Sequence, residues 1–188
     1  MTKEVNTMKR KAFALTMLAL ASMASNADEL NSGDVGVIGV DWGFNEETQI
    51  ASTAIMKPDE NGDFKGISSS ISLSAAGEKR IYLSVMDKSY NCNEDPNFSS
   101  KTKDDEKEGN LIWKINGSFV KMYAYCAKDG FINATPSTGA GERFTVGEFM
   151  KSNKSVRVTA TSKGLNLSAD VSAVGFTKTW NEFGGDAL

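Results

Sequence analysis

The sequence contains no histidine, and this absence excludes several kinds of chemistry. Ser-His-Asp and Cys-His catalytic groups need a base that titrates near neutral pH, and in those sites the base is histidine. Zinc sites with histidine ligands, the H-E-x-x-H metalloprotease motif and c-type haem ligation are excluded for the same reason. Carboxylate chemistry, as in a glycosidase, and a lysine-based mechanism stay open.

Cysteine is scarce as well, since Cys92 and Cys126 are the only two in the chain. Two thiolates are too few for an all-cysteine zinc site, which needs four. No C-x-x-C spacing is present, so a redox-active pair is not indicated. Two cysteines in an exported protein typically form a structural disulfide. The start of the chain, described next, carries an export pattern, so we predict a disulfide between Cys92 and Cys126. We predict no metal site and no cofactor.

Long apolar runs are also missing, and the main uncharged one lies near the start of the chain. Lys9-Arg10-Lys11 precedes an uncharged run from Ala12 to Ala24, and Ser25-Asn26-Ala27 places small residues around a cleavage point. The basic head, the apolar middle of about 13 residues and the small-residue end are the three parts of a secretory signal peptide. A transmembrane helix needs about 20 apolar residues, so an uncleaved membrane anchor is the weaker alternative. We predict that residues 1–27 are a signal peptide and that the mature protein is periplasmic or secreted, with no membrane span.

The residues after the predicted signal peptide have an acidic balance. Residues 1–27 hold four basic residues and one acidic residue, which leaves 17 basic and 23 acidic residues and a formal charge of −6. No basic stripe along the sequence offsets this charge. A nucleic acid or an anionic membrane is therefore not expected as the partner.

Short alternating segments dominate the remaining sequence and predict β-strands. Apolar residues recur at every second position, turn residues separate the segments at intervals of about 8–12 residues, and no strand alternates with a long helix. We therefore predict a mostly β fold, an antiparallel β-sandwich or barrel with one or two short helices near the C-terminus. Residues 28–41 are expected to form a flexible lead-in to a single domain over residues 42–188. The predicted strands cover residues 49–56, 67–73, 81–85, 111–115, 118–126, 131–135, 155–160 and 165–171. The first of them carries Ile50, Ala54 and Met56 on one side.

The clearest local signal is a hairpin around Asn116-Gly117. Asn-Gly between two apolar strands is typical of a type I′ turn, because both central residues need positive φ. The second strand has a small apolar side, which we assign to the core, and an aromatic side, which is a candidate binding surface. The core side comprises Val120, Met122, Ala124 and Cys126. The aromatic side comprises Phe119, Lys121, Tyr123 and Tyr125. The sequence leaves open whether a helix or a second sheet covers the aromatic side.

Two short helices are expected in the last third of the chain. Thr145 and Glu148 fit a capping box, in which the hydroxyl and the carboxylate satisfy backbone amides reciprocally, and this predicts a helix over about 146–152. A second helix is predicted within residues 172–183. Its apolar face would carry Phe176, Trp180 and Phe183.

The longest polar stretch runs from Tyr90 to Glu108 and predicts a mobile charged loop over residues 93–109. The candidate contact residues of this loop are acidic: Asp104, Asp105, Glu106 and Glu108. A general acid/base role for them is disfavoured, because a catalytic carboxyl group needs a partly buried site that raises its pKa. The predicted disulfide would attach one end of the loop to the sheet through Cys92.

The C-terminal half resembles a known family in the order of its elements. A strand ending at Cys126 is followed by a turn, a loop with Pro136, the segment Phe144 to Phe149 and a strand pair, and then by Ser172 to Trp180 with a Gly-Phe pair inside it. This order over residues 111–183 is similar to the invasion-associated locus B family. The resemblance implies an exported bacterial envelope protein that is β-rich and non-enzymatic, with no catalytic residues to transfer. The chain departs from the family's usual pattern in having fewer cysteines, since no second cysteine follows Cys126.

These observations favour an exported, non-enzymatic protein of the bacterial envelope that binds another protein, as an envelope or secretion accessory. One alternative is a periplasmic inhibitor or immunity protein whose acidic loop enters the basic cleft of an envelope-targeted hydrolase. A carboxylate-based hydrolase is a third and less favoured alternative. The sequence does not indicate the oligomeric state.

Overall fold

The computed structural model describes residues 28–45, 50–100, 107–127 and 131–184. Eleven β-strands, two α-helices and one short 3-10 helix are present in this part of the chain. The strands are β1 (Asp28–Leu30), β2 (Ile38–Asn45), β3 (Ile50–Pro58), β4 (Phe64–Leu73), β5 (Lys79–Met86), β6 (Phe98–Ser100), β7 (Lys107–Ile115), β8 (Ser118–Cys126), β9 (Ile132–Pro136), β10 (Ser155–Ser162) and β11 (Leu165–Ser172). The helices are the 3-10 turn Cys92–Glu94, α1 (Gly139–Lys151) and α2 (Phe176–Glu182).

The strands form one curled mixed sheet, a half-barrel. Their order is β1-β11-β10-β7-β8-β9-β5-β4-β3-β2, and β6 pairs with β7 outside this order. Neighbouring strands pair antiparallel except β1 and β11, which run parallel. The mostly β prediction is confirmed, whereas the sequence pattern does not indicate the parallel pair.

Alternation of side chains along each strand turns one side of the curled sheet inward. β5 buries Ile81, Leu83 and Val85, and β8 buries its predicted core side. The Asn116-Gly117 turn closes the β7–β8 hairpin with φ values of 46° and 81°, as a type I′ turn requires. These local predictions are therefore confirmed.

The buried side of β3 is the one opposite to the predicted apolar side. Ala51, Thr53 and Ile55 face the core, whereas Ile50 is half exposed. Thr53 is accommodated inside because its hydroxyl donates a hydrogen bond to the carbonyl oxygen of Val40 on β2. A buried polar side chain with a partner thus overrides the simple alternation of apolar residues.

Helix α1 begins earlier than the sequence predicts. Thr138 is its N-cap residue, and the Thr138 hydroxyl accepts a hydrogen bond from the backbone N–H of Gly141 at 3.0 Å. Thr145, the predicted cap, is fully buried in the middle of the helix. The capping-box prediction is wrong because Gly139 and Gly141, which weaken a helical pattern, lie inside the first turn. The second predicted helix is present as α2.

Trp42 closes the open side of the half-barrel. Its backbone N–H donates to the carbonyl oxygen of Val174 at 3.0 Å, and its indole N–H donates to that of Ser172 at 2.7 Å. The Trp42 ring packs edge-on against Phe149 and Phe176, with centroids 5.9 and 4.9 Å away. One side chain of β2, the last strand of the sheet, therefore contacts the end of β11 and both helices.

The residues predicted as a flexible lead-in, 28–41, contain β1 and the start of β2. β1 lies parallel to β11 and buries Leu30. The ammonium group of Lys65 lies 2.5 Å from a carboxylate oxygen of Asp28 and 3.0 Å from one of Asp87. This segment therefore has defined strands, because pairing with β11 and ion pairs compensate for its few large apolar side chains.

The predicted mobile loop over residues 93–109 also contains secondary structure. The 3-10 turn Cys92–Glu94 precedes β6, and β6 pairs with the start of β7. Asp95 is buried and accepts hydrogen bonds from the hydroxyl groups of Tyr90 and Ser162. Burial acts to raise the pKa of Asp95, but these hydrogen bonds outweigh it and lower that pKa. The polar composition that predicts a mobile loop instead supplies hydrogen bonds that order its first half.

The predicted disulfide between Cys92 and Cys126 is present, with Cα atoms 5.7 Å apart. It joins the 3-10 turn to the last residue of β8 across 34 positions of sequence. Both cysteines are buried, so the cross-link lies within the core.

Replacing both Cys92 and Cys126 by alanine should lower the free energy of unfolding by about 4 kcal/mol, because a cross-link around a loop of about 35 residues restricts the unfolded chain. Urea denaturation of the oxidised protein and of the double variant measures this difference. A thiol count on the denatured, unreduced protein is the control and should find no reactive thiol. A loss below about 1 kcal/mol would contradict the expected contribution.

Candidate functional site

The aromatic side of β8 is exposed. Phe119, Tyr123 and Tyr125 expose 75%, 38% and 37% of their surface, and Lys121 between them is exposed as well. α1 packs against β5, β9 and β10, and α2 packs against β2. In the ranges that the structure describes, neither a helix nor a second sheet covers these four side chains.

Strand β7 extends this surface on one side. The ammonium group of Lys114 lies 5.1 Å from the ring centroid of Phe119, which is a cation–π geometry. Glu108 lies opposite Tyr125 in the β7–β8 pairing and accepts a hydrogen bond from the Tyr123 hydroxyl. These contacts connect the aromatic side chains of β8 with charged groups of the neighbouring strand.

Strands β9 and β5 extend the surface on the other side and form a depression, termed the tyrosine groove here. Asn133 and Thr135 of β9 lie opposite Tyr125 and Tyr123 of β8. β5 pairs with β9 on its far side and contributes Tyr82. The groove has a volume of about 200 Å³ and is lined by Ser74, Ala75, Arg80, Tyr82, Tyr123, Tyr125, Asn133 and Thr135.

The predicted binding surface includes one wall of this groove and leaves out the other. Tyr123 and Tyr125 belong to the predicted surface, whereas Tyr82, Arg80 and Asn133 do not. The alternation in β5 does place Tyr82 on the side opposite to its buried residues, which is a usable signal. No local sequence pattern predicts that β9 lies between β5 and β8. The reason is that about 45 residues, which include three other strands, separate β5 from β9 in the sequence.

Burial raises the pKa of two tyrosines in the groove. Burial, together with the hydrogen bond to Glu108 and its negative charge, raises the pKa of Tyr123 to about 12. Burial also raises the pKa of Tyr82, although the positive charge of Arg80 opposes this rise. Both hydroxyl groups therefore keep their protons at neutral pH. The hydroxyl of Tyr123 donates to Glu108, and that of Tyr82 is able to donate to a ligand.

The acidic candidates of the predicted loop separate into two groups. Asp104, Asp105 and Glu106 lie outside the described residues. Glu108 lies on β7 and is bonded to Tyr123, so it belongs to the exposed aromatic surface rather than to a loop. Glu108, predicted as a contact residue of the loop, is therefore part of the candidate site instead.

Glu142 on α1 has a raised pKa and a structural role. Burial raises this pKa, while the backbone N–H of Ile81, which donates to Glu142 Oε1 at 3.0 Å, and the charge of Arg80 oppose the rise. The hydrogen bond attaches the first turn of α1 to β5. Within the described ranges, no group of three or more histidine, cysteine, aspartate or glutamate side chains is placed to hold a metal ion. None of the described helices combines the length and the apolar character needed to cross a bilayer.

A scan against protein-family models finds no match for the chain, and searches of the curated proteins and of the solved structures find none either. The resemblance to the invasion-associated locus B family over residues 111–183 therefore stays a prediction. The candidate site rests on the exposure and geometry of its own residues.

Replacing Glu108 by glutamine should lower the pKa of Tyr123 from about 12, because a neutral amide no longer disfavours the phenolate. An unfolded tyrosine titrates near pH 10, so the folded state holds this proton more tightly. The resulting stabilisation is complete below about pH 10 and is lost as pH rises to about 12. Ultraviolet titration of phenolate absorbance measures the pKa, and Tyr123→Phe assigns the signal. An unchanged Tyr123 pKa in Glu108→Gln would contradict the contact.

Proposed function

We propose that the protein is an exported, non-enzymatic binding protein of a bacterial envelope, periplasmic or secreted, that binds another protein through the aromatic side of β8. The observation that carries this proposal is the exposure of three aromatic side chains and one lysine along one regular strand. Aromatic side chains supply large contact areas, and tyrosine adds a polar tip, which is why they are enriched where proteins bind one another.

The rigidity of this surface supports the same proposal. β8 is paired on both sides, with β7 along its whole length and with β9 along its second half. Binding therefore needs little ordering of the backbone, and the entropy cost of association is reduced accordingly. A preorganised surface of this kind suits a protein partner.

Two independent features support export. The pattern over residues 1–27 is that of a signal peptide. The disulfide between Cys92 and Cys126 is typical of oxidising compartments such as the periplasm or the exterior of the cell. The resemblance over residues 111–183 favours a role as an envelope or secretion accessory.

A second candidate function is inhibition of an envelope-targeted hydrolase, as an inhibitor or immunity protein. The specific observation in its favour is the attachment of both ends of the acidic segment 101–106. β6 and β7 pair up to Ser100 and Lys107, and the Lys107 ammonium donates to the backbone oxygen of Asn93. An acidic segment held at both ends would lose little entropy on entering a basic cleft.

Mature protein immobilised through its C-terminus should capture a protein partner from the envelope fraction of its own cells. Phe119→Ala and Tyr125→Ala should each reduce the captured amount about tenfold, because each removes a large exposed ring from the binding surface. Phe64→Ala is the matched control, since Phe64 is an exposed aromatic residue on β4, three strands away from β8. Quantitative mass spectrometry of the captured proteins measures the effect.

Equal capture by all variants, or equal loss in the Phe64 control, would argue against the aromatic side of β8 as the binding surface. Deleting residues 101–106 separates the two candidate functions. Capture that survives the deletion excludes the inhibitor mode, whereas capture that depends only on residues 101–106 supports it.

The mature protein should begin at Asp28, because the signal-peptide pattern ends at Ala27. Intact-mass measurement of protein from the periplasm or the medium checks the cleavage point. Ala27→Trp should slow processing, since signal peptidase sites need a small residue there. Recovery of the unprocessed chain from the cytoplasm alone would contradict the proposed export.

A further inference from the structure

The tyrosine groove has two aromatic walls and a floor of smaller side chains. Tyr82 forms one wall, and Tyr123 with Tyr125 forms the other. The strand between the walls is β9, which contributes Asn133 and Thr135. Two inter-strand spacings place the strands that carry the walls about 10 Å apart. Allowing for the thickness of the rings, this width suits one extended chain.

Hydrogen-bond donors line this groove. The hydroxyl of Ser84 donates to the side-chain oxygen of Asn133, so the amide group of Asn133 offers its N–H donors. Burial raises the pKa of Tyr82, and the positive charge of Arg80 opposes this rise. Tyr125 acts on the same pKa electrostatically, so the two tyrosines lie near each other. The guanidinium group of Arg80 lies in the same lining, where it donates to the Pro136 carbonyl oxygen and to Glu78, both at 3.4 Å, and has further N–H groups.

Several acceptors in the lining are already engaged. The side-chain oxygen of Asn133 is bonded to Ser84, and Glu108 beside the groove is bonded to the Tyr123 hydroxyl. The hydroxyl of Thr135 is directed into the sheet, where it donates to the backbone oxygen of Ile81 at 2.9 Å. A ligand that presents acceptor oxygens and flat apolar faces is therefore complementary to this lining.

We propose that the tyrosine groove binds an extended proline-rich segment of the partner protein, an inference that rests on the proposed function. Proline has no backbone N–H, its carbonyl oxygen accepts hydrogen bonds, and its ring packs against aromatic faces. A polyproline II segment is largely formed before binding, so it loses little entropy in an aromatic-lined groove. An oligosaccharide fits this lining less well, because each of its hydroxyl groups brings a donor that needs an acceptor.

The test titrates the mature, oxidised protein with a decaproline peptide and follows binding by NMR. Decaproline should shift the side-chain amide signals of Asn133 and the backbone amides of β9. A Gly-Ser peptide of the same length should not. Tyr82→Ala and Tyr125→Ala should each weaken decaproline binding about tenfold, because each removes one aromatic contact. Ile112→Ala is the control, since Ile112 is an exposed residue of β7 outside the groove.

A conservative variant keeps the test informative if an alanine variant fails to fold. Tyr82→Phe retains the ring and loses only the hydroxyl donor, so it should bind decaproline more weakly than the wild type and more tightly than Tyr82→Ala. Absence of any shift up to about 5 mM decaproline would overturn the inference, since binding weaker than this lies below a useful affinity. Preferential binding of cellohexaose at the same residues would overturn it as well.

The two proposals fail separately. If decaproline does not bind while capture from the envelope fraction still depends on Phe119, the groove inference is wrong and the proposed function stands. If decaproline binds in the groove and capture depends on Tyr82 and Tyr125 but not on Phe119, the groove inference stands and the wider binding surface on β8 is wrong.

Discussion

A curled sheet that does not close by strand pairing needs another contact between its two ends, and Trp42 makes that contact. It joins β2, the last strand, to Ser172 at the end of β11 and to Val174 two residues later, through two hydrogen bonds. Gly175 shows how close this approach is, because a Cβ atom there would lie 2.7 Å from the backbone oxygen of Trp42. Gly175 also has a φ of +84°, so glycine is required on two counts. The α2 helix begins directly after it, which places Phe176 against the Trp42 ring.

This closure determines which side of the sheet is left for function. The interior receives its large side chains from within the half-barrel and from the two helices, as with Trp113, Phe149 and Phe176, all fully buried. The outer side of β8 has no part in that packing. Exposed rings such as Phe119 contribute little to folding, and a row of them on a rigid strand is the kind of surface that binds partners.

The features that could be predicted from sequence are those with a local cause. Asn116-Gly117 sets its own backbone geometry, and the alternation in β8 separates a core side from an aromatic side without reference to distant residues. Prediction fails where a residue distant in sequence determines burial or position. Thr53 is buried because the backbone oxygen of Val40 accepts a hydrogen bond from its hydroxyl. Tyr82 lies near the tyrosines of β8 only because β9 pairs with both β5 and β8. Only one wall of the groove could therefore be predicted from the sequence. That wall lies on β8 alone, whereas the other wall depends on the order of the strands in the sheet.

The disulfide connects the predicted compartment with the candidate site. Cys126 directly follows Tyr125 and points to the opposite side of β8, where it is cross-linked to Cys92. The exposed side of the same strand end is held by the hydrogen bond between Tyr123 and Glu108. In a reducing compartment this end of β8 would lose the cross-link and keep its strand pairing, its buried side chains and that surface hydrogen bond. Oxidation therefore adds to the rigidity of the aromatic surface at this position, and this would give the proposed export a physical consequence for the proposed binding.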